Sequence, residues 1–278
     1  MSDPTLRVLV ERLLAAQEID DLDAQDALRH PDFVEEYPQS RERIRGRDRV
    51  RQMLETHPSP PRGMRSRLTE LANDFVLAEV AAEYNGEPWW IAGFFSGAGG
   101  QLTSERTYFG PAYPAPDWRA PWVERITADD WLQDAGGHGE VTRETAQRLV
   151  DLSMDYDAIG PMRHPDWYGD MPQTGERFRG HANYAAAHRN FPGGMPQGEG
   201  QLRGPEDEWV VAPTFAPTRV AGHGAHWAAE GWLTYPNGDR YLSVMIAEFR
   251  DGLSVAERWY YFPPFDRPAW RDGISERY

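Results

Sequence analysis

Cysteine is missing altogether from the 278 residues, which excludes disulfides, a thiol nucleophile and a cysteine-ligated metal. Lysine is missing too, so all 29 basic residues are arginine, and neither a lysine Schiff base nor a P-loop lysine can be built. Beside abundant Ala, Gly and Pro, this reads as the mark of a GC-rich bacterial genome rather than of a function. There is no run of about 18 apolar residues, the length a membrane-crossing helix needs. The start, MSDPTLRVLVERLL, carries charges through its apolar stretch, where a signal peptide has none. A basic stripe is also absent, and the net charge of −15 repels nucleic acid and anionic membranes. These absences lead to the expectation of a soluble, cytoplasmic protein with no nucleic-acid and no membrane partner.

What is present is a repeat. RHPDFVEEYPQSRERIRG (29–46) returns as RHPDWYGDMPQTGERFRG (163–180), with ten of eighteen positions identical at an offset of 134. ERTYFGPAYPAPDWR (105–119) returns as ERWYYFPPFDRPAWR (257–271), with seven of fifteen identical at an offset of 152. The offset grows by 152 − 134 = 18, which places an insertion in the second copy, at the Gly/Pro-rich stretch near 191–207. A repeat of this length is a duplicated domain, not a solenoid unit of ~20 to 50 residues. Each half is long enough to bury its own core. The expected domains are 1–125 and 142–278, joined by a Gly-rich linker at 126–141.

Each copy has the same expected order. An amphipathic helix comes first, with Leu6, Leu9, Val10, Leu13 and Leu14 at helical spacing in one copy and Ala146, Leu149, Val150 and Met154, after a Thr142 cap, in the other. The repeated motif follows as a turn and short extended segment, then a short helix at 47–56 and 181–190. Three long strands close each copy, near 74–84, 88–96 and 102–109, and near 218–235, 239–250 and 253–262. Asn85-Gly86, Asn237-Gly238 and Asp251-Gly252 stand at hairpin positions, with Gly99-Gly100 at the place matching the last of these. Helices before an antiparallel sheet give an α+β class.

This pattern resembles the nuclear transport factor 2-like superfamily, and within it the SnoaL-like group. The residues that carry the resemblance are the motif running through Pro38–Gly46 and Pro172–Gly180, the helix before it, and the strands ending in YYFPPF. The resemblance implies two tandem cone-shaped α+β barrels, each a curved sheet wrapped on helices around a pocket. Because members commonly dimerise through the outer sheet face, it also implies an intrachain pseudo-dimer, with further homo-oligomerisation left open. In the ketosteroid isomerases of this superfamily the catalytic aspartate directly precedes the motif proline; here Tyr37 and Met171 stand there, which argues against that mechanism in both copies.

Identical letters in the two copies point to the shared fold, and changed letters to divergence. Asp32 and Asp166 suit a turn, and Arg43, Arg45, Arg177 and Arg179 suit ion pairs. In the short helix, Val50, Met53 and Leu54 of the first copy become Tyr184, Ala187 and His188, with His181 one turn earlier. Buried polar groups need partners or a pocket, so the second cone is the expected polar site. There His188 would be the general acid or base, and Tyr184, Asp166 or Glu230 would assist. A tyrosine and a histidine bonded within a core account for the same letters. Trp167, Tyr168, Met171, His181, Trp232 and Tyr37 are the expected substrate-binding residues, since an aromatic lining suits a flat apolar substrate, though a plain core looks the same. His223 and His226 lack metal-ligand spacing with the others, so neither a metal nor a cofactor is expected. Two functions remain from different classes. One is cofactor-independent acid–base chemistry of the cyclase, isomerase, dehydratase or hydrolase type on an apolar, flat or polycyclic small molecule. The other is non-catalytic ligand binding or assembly on the same fold.

Overall fold

The computed structural model describes residues 4–192, 214–235 and 238–278. The expected insertion near 191–207 and the Asn237 side of one hairpin lie largely outside these residues. The chain divides into two compact units, Met1–Ala112 with Pro264–Tyr278, and Tyr113–Pro263.

In the first unit, α1 (Leu6–Glu18) starts at Thr5, whose hydroxyl accepts from the Val8 amide, and buries the expected Leu6, Leu9, Val10, Leu13 and Leu14 stripe. A second helix, α2 (Leu22–Leu28), is capped by Asp21. Strand β1 (Arg29–Tyr37) follows at once, so the His-Pro-Asp letters open a strand and not a turn. β2 (Glu42–Arg45) and α3 (Arg47–Thr56) complete the motif. Its terminal glycine is needed there, because Gly46 takes φ +92° as it caps α3 while its amide bonds back to Phe33. Then come β3 (Arg62–Ala72), β4 (Phe75–Tyr84), β5 (Glu87–Ala98) and β6 (Gln101–Pro111). The Asn85-Gly86 hairpin takes positive φ at both residues, as expected. β3 was not expected, since RGMRSRLTELA has no clean alternation and its side chains are mostly exposed or half-buried.

The second unit repeats the plan with β7 (Glu124–Arg125), α4 (Ala128–Trp131), α5 (Arg143–Asp151), β8 (Arg163–Met171), β9 (Glu176–Arg179), α6 (His181–Arg189) and β10 (Thr214–His223). It closes with β11 (His226–Thr234), β12 (Arg240–Arg250) and β13 (Leu253–Phe262). The single strand expected near 218–235 is two, broken by a turn in which Gly224 has φ +58°. The expected linker is ordered in part. A Thr127–Asp130 capping box starts α4, and Trp131 is buried with its indole N–H on the Tyr260 hydroxyl at 2.9 Å.

Both sheets have seven strands in the same relative order: β14-β2-β1-β6-β5-β4-β3, where β14 is Glu276–Arg277, and β7-β9-β8-β13-β12-β11-β10. In each, the motif strand pairs in parallel with the last long strand, β1 with β6 and β8 with β13. This equivalence makes the chain a tandem duplication.

The unit boundaries differ from the expected 1–125 and 142–278. The segment after β6 packs in the second unit, where β7 pairs with β9 and Arg119 binds the buried Glu176 carboxylate. The segment after β13 packs in the first unit, where β14 pairs with β2 and Arg271 Nη1 meets the buried Glu42 carboxylate at 3.0 Å. Glu42 and Glu176 are equivalent at the offset of 134, and Arg119 and Arg271 at 152. Among the described residues no helix is long and apolar enough to cross a membrane.

Candidate active site

In the first unit the inner faces of β1, β4, β5 and β6, with α1 and α3, enclose a cavity of about 300 Å³. Met53, Leu54, Val80, Tyr84, Trp89, Ile91, Phe95 and Phe109 supply its apolar wall, and His57 and the prolines at 58, 60 and 61 stand along one side. The polar side is concentrated on one strand pair. β1 and β6 run parallel in a register that sets Glu35 directly beside Glu105. Both line the cavity and both are buried.

Like charges side by side on adjacent strands are destabilising, and burial adds to that cost. Burial first, and then the charge of Glu35, push the Glu105 carboxyl up to about 7. The Thr107 hydroxyl, which donates to Glu105 at 2.6 Å, and Arg29 pull it the other way. Glu35 accepts the Tyr37 hydroxyl through Oε1, and its buried Oε2 has no partner among the described residues. Burial, and next the Glu35 charge, raise Tyr37 well above 10, so it keeps its proton. Near neutral pH the site therefore holds, in Glu105, a carboxyl that can still give a proton, beside a second carboxyl and a fixed phenol donor.

Gly93 helps make this room. A Cβ there would come 2.9 Å from the Phe95 ring and 3.6 Å from Glu105 Oε1. Its counterpart at offset 152 is Met245.

The same positions in the second unit are filled. Glu35 corresponds to Gly169 and Thr107 to Trp259, and Trp259 occupies the vacated space, within 2.4 Å of where a Gly169 Cβ would stand. Tyr184 stacks on Trp259 at 5.3 Å and meets Trp167 and Phe178 edge-on. Glu257, the counterpart of Glu105, is tied down by Arg163 at 2.9 and 2.7 Å, by the Trp167 indole at 2.9 Å and by Ser254 at 2.9 Å. What the described residues leave is a cavity of about 60 Å³ beside Tyr184 and His188, room for on the order of two waters.

The expected second-cone residues therefore gather only in part. His188, Tyr184 and Trp167 come together, and His181 contacts Arg163 at 2.9 Å through Nδ1. Among the described residues His188 meets no carboxylate. Its Nδ1 bonds the Tyr184 carbonyl of its own helix at 2.8 Å, and burial lowers it to about 4, so it is neutral through the physiological range. The carboxylate expected to orient His188 is thus not beside it among the described residues. Asp166 is exposed, beside His164 and Arg250 at 3.7 and 3.6 Å. Glu230 and Trp232 alternate with Ala229 and Leu233, which face the core, and so stand on the opposite sheet face, where Arg240 lies 4.5 Å over the Trp232 ring. Tyr168 likewise faces away, under Arg177 at 4.2 Å, and Met171 packs at the edge of the aromatic cluster. Tyr37 alone of the expected residues lies in the large cavity. Among the described residues no group of three or more His, Asp or Glu is arranged to hold a metal ion.

Of the polar residues lining this cavity, Glu35 and Thr107 are replaced in the second copy, whereas Glu105 and Arg271 have identical letters in both copies and so carry no signal of divergence. The available signal was the pair Glu35→Gly169 and Thr107→Trp259, each a polar group traded for emptiness or bulk.

Residues 10–105 match the family model of the SnoaL-like domain. An NTF2-like protein of unknown function from Burkholderia xenovorans LB400 is 30% identical over 44% of this chain and 94% of its own length, with a TM-score of 0.41. The chain belongs to the SnoaL-like, NTF2-like family. Other similar solved structures are an LEH-like epoxide hydrolase from M. tuberculosis (28% identity, 37% of this chain and 80% of that one, TM-score 0.32) and a putative ketosteroid isomerase from Kribbella flavida DSM 17836 (22%, 49% and 88%, TM-score 0.39). A search of the curated proteins found no match. In this SnoaL-like chain the matched region holds β1 and the start of β6, and with them Glu35, Tyr37 and Glu105.

Proposed function

We propose that this SnoaL-like protein is an enzyme of proton-transfer chemistry acting in the first unit's cavity. Glu35 is the general base, Glu105 the general acid, and Tyr37 the donor that orients Glu35. The observation that carries the reading is the direct pairing of Glu35 with Glu105 inside an apolar cavity, with Glu105 raised to about 7. A general acid of that strength is half-protonated at working pH, where proton transfer in either direction is efficient. The apolar wall and the cavity volume suit a neutral, largely hydrocarbon substrate of roughly ten or more non-hydrogen atoms. Its one oxygen function would lie against the carboxyl pair. Base and acid together serve either opening of a strained C–O bond by water or relocation of a C–H proton next to a carbonyl.

The test has two parts. In infrared titration of the full chain, a carboxyl band with a midpoint near 7 is expected, and it disappears in Glu105→Gln. Styrene oxide and 3-cyclohexen-1-one then serve as probes for hydrolysis and for isomerisation, and turnover of the accepted probe drops on the order of 10²- to 10⁴-fold in Glu35→Gln and in Glu105→Gln. A wild-type protein in which no carboxyl titrates above pH 6 refutes the acid–base reading, as does turnover unchanged in both variants.

A further inference from the structure

Arg271 lines the same cavity, yet it lies in Pro264–Tyr278, the segment that follows the second copy in the chain. It is buried, and it is held by Glu42, whose carboxylate also accepts Ser40 and, at 2.6 Å, Ser275. So seated, its guanidinium carbon lies over the Tyr37 ring at 4.2 Å from the centroid and over the Trp270 ring at 4.7 Å. Tyr37 in turn donates to Glu35.

We infer that Arg271 is a positioning residue for the acid–base pair: stacked on Tyr37, it fixes the phenol that orients Glu35, so the first unit's site is completed by the tail written after the second copy. The inference rests on the reading of Glu35 and Glu105 given above. A cation over the ring draws electron density from the phenol and makes its O–H the stronger donor. Its positive potential also favours the ionised form of a carboxylate nearby.

The second unit supplies a natural control. Arg119 binds Glu176 as Arg271 binds Glu42, and both arginines and both glutamates are buried. Yet the place of Tyr37 is taken by Met171 and that of Glu35 by Gly169. Arg119 therefore has the ion pair without a counterpart of Tyr37 or Glu35 to position. The ion pair belongs to the shared fold, and the contact with Tyr37 belongs to the site.

The experiment compares full-length Arg271→Gln with Arg119→Gln. Each leaves a buried glutamate without its cation, so both lower the melting temperature. Only Arg271→Gln raises the midpoint of the carboxyl titration near 7, by roughly half a unit or more, and lowers kcat on the accepted probe at least about tenfold with KM little changed. Tyr37→Phe produces a similar shift, and combining it with Arg271→Gln adds little further. A midpoint and kcat unchanged in Arg271→Gln, or changed equally in Arg119→Gln, overturns the inference while leaving the wild-type titration, and so the acid–base reading, intact. A wild type with no titration near 7 removes both. Should Arg271→Gln fail to fold, Arg271→Lys carries the test: lysine keeps the charge against Glu42 but cannot stack flat on Tyr37. Turnover then falls while the melting temperature holds, and unchanged turnover overturns the inference.

Discussion

Glu105 and Glu257 occupy equivalent places, and their neighbours decide what each can do. Four donor contacts from Arg163, Trp167 and Ser254 make Glu257 a structural carboxylate. Glu105 has Thr107 on one side and another carboxylate on the other. The guanidinium of Arg29, the counterpart of Arg163, bonds Gln25 at 3.3 Å, and two of its nitrogens have no partner among the described residues. The raised carboxyl has a consequence for stability. A group whose folded value lies above its unfolded one stabilises the fold fully below the unfolded pKa and loses that contribution as pH rises through the folded value. Stability of the wild type should therefore fall between about pH 4.5 and 7, by on the order of 3 kcal/mol for Glu105. Glu105→Gln should flatten that slope and be the more stable protein at pH 8. Urea denaturation at pH 4.5, 6 and 8 measures it, and parallel slopes in the two proteins count against a raised Glu105. This pair was not legible in the sequence. Residues 35 and 105 become neighbours only through a parallel strand pairing, which leaves no local spacing to read. The replacements Val50→Tyr184 and Leu54→His188 were legible but misled, because a tyrosine and a histidine that gain aromatic neighbours can plug a cone as well as build a site.

At the scale of elements, the identical letters of the repeat prove to be joints of the fold. Gln39 bonds Phe109 through both ends of its amide, at 2.8 and 2.9 Å, and Gln173 bonds Tyr261 in the same way at 2.6 and 3.0 Å. Each glutamine acts as one more rung between the motif and the last long strand. Arg43 clasps Glu36 and Arg177 clasps Asp170, again with both contacts repeated. The expectation of plain ion pairs for these arginines describes what they do. Removing either rung leaves a strand amide and carbonyl without partners, at about 1–3 kcal/mol. Gln39→Ala and Gln173→Ala should thus cost similar stability in denaturant titrations. Only Gln39→Ala should also weaken turnover of the probe, because Phe109 is a wall of the cavity. An equal loss of turnover in both would place the chemistry elsewhere. Periodicity disclosed the opening helices, the short helices and the hairpin strands. It did not disclose α2, β3, whose Met64 and Leu68 stand apart among arginines, or α4, whose Thr127–Asp130 capping box lies just before a glycine-rich stretch.

For the whole molecule, the duplication and its offsets were readable from letters alone, but not which tail serves which unit. That depends on β7 pairing with β9 and β14 with β2, contacts of two residues each. Deleting 264–278 should accordingly injure the first unit and spare the second. Glu42 would be left as a buried carboxylate without Arg271 and Ser275, at a cost of about 3–5 kcal/mol. Hydrogen exchange should show protection lost across residues 4–112 and kept across the described part of 113–263, and the reverse pattern would mean the tail belongs elsewhere. The arrangement also explains how a gene can keep a copy that has filled its own cavity. The second copy cannot be discarded without losing the strand and the arginine encoded after it. Loss of the second copy together with 264–278 would strip β2 of its β14 partner and Glu42 of Arg271.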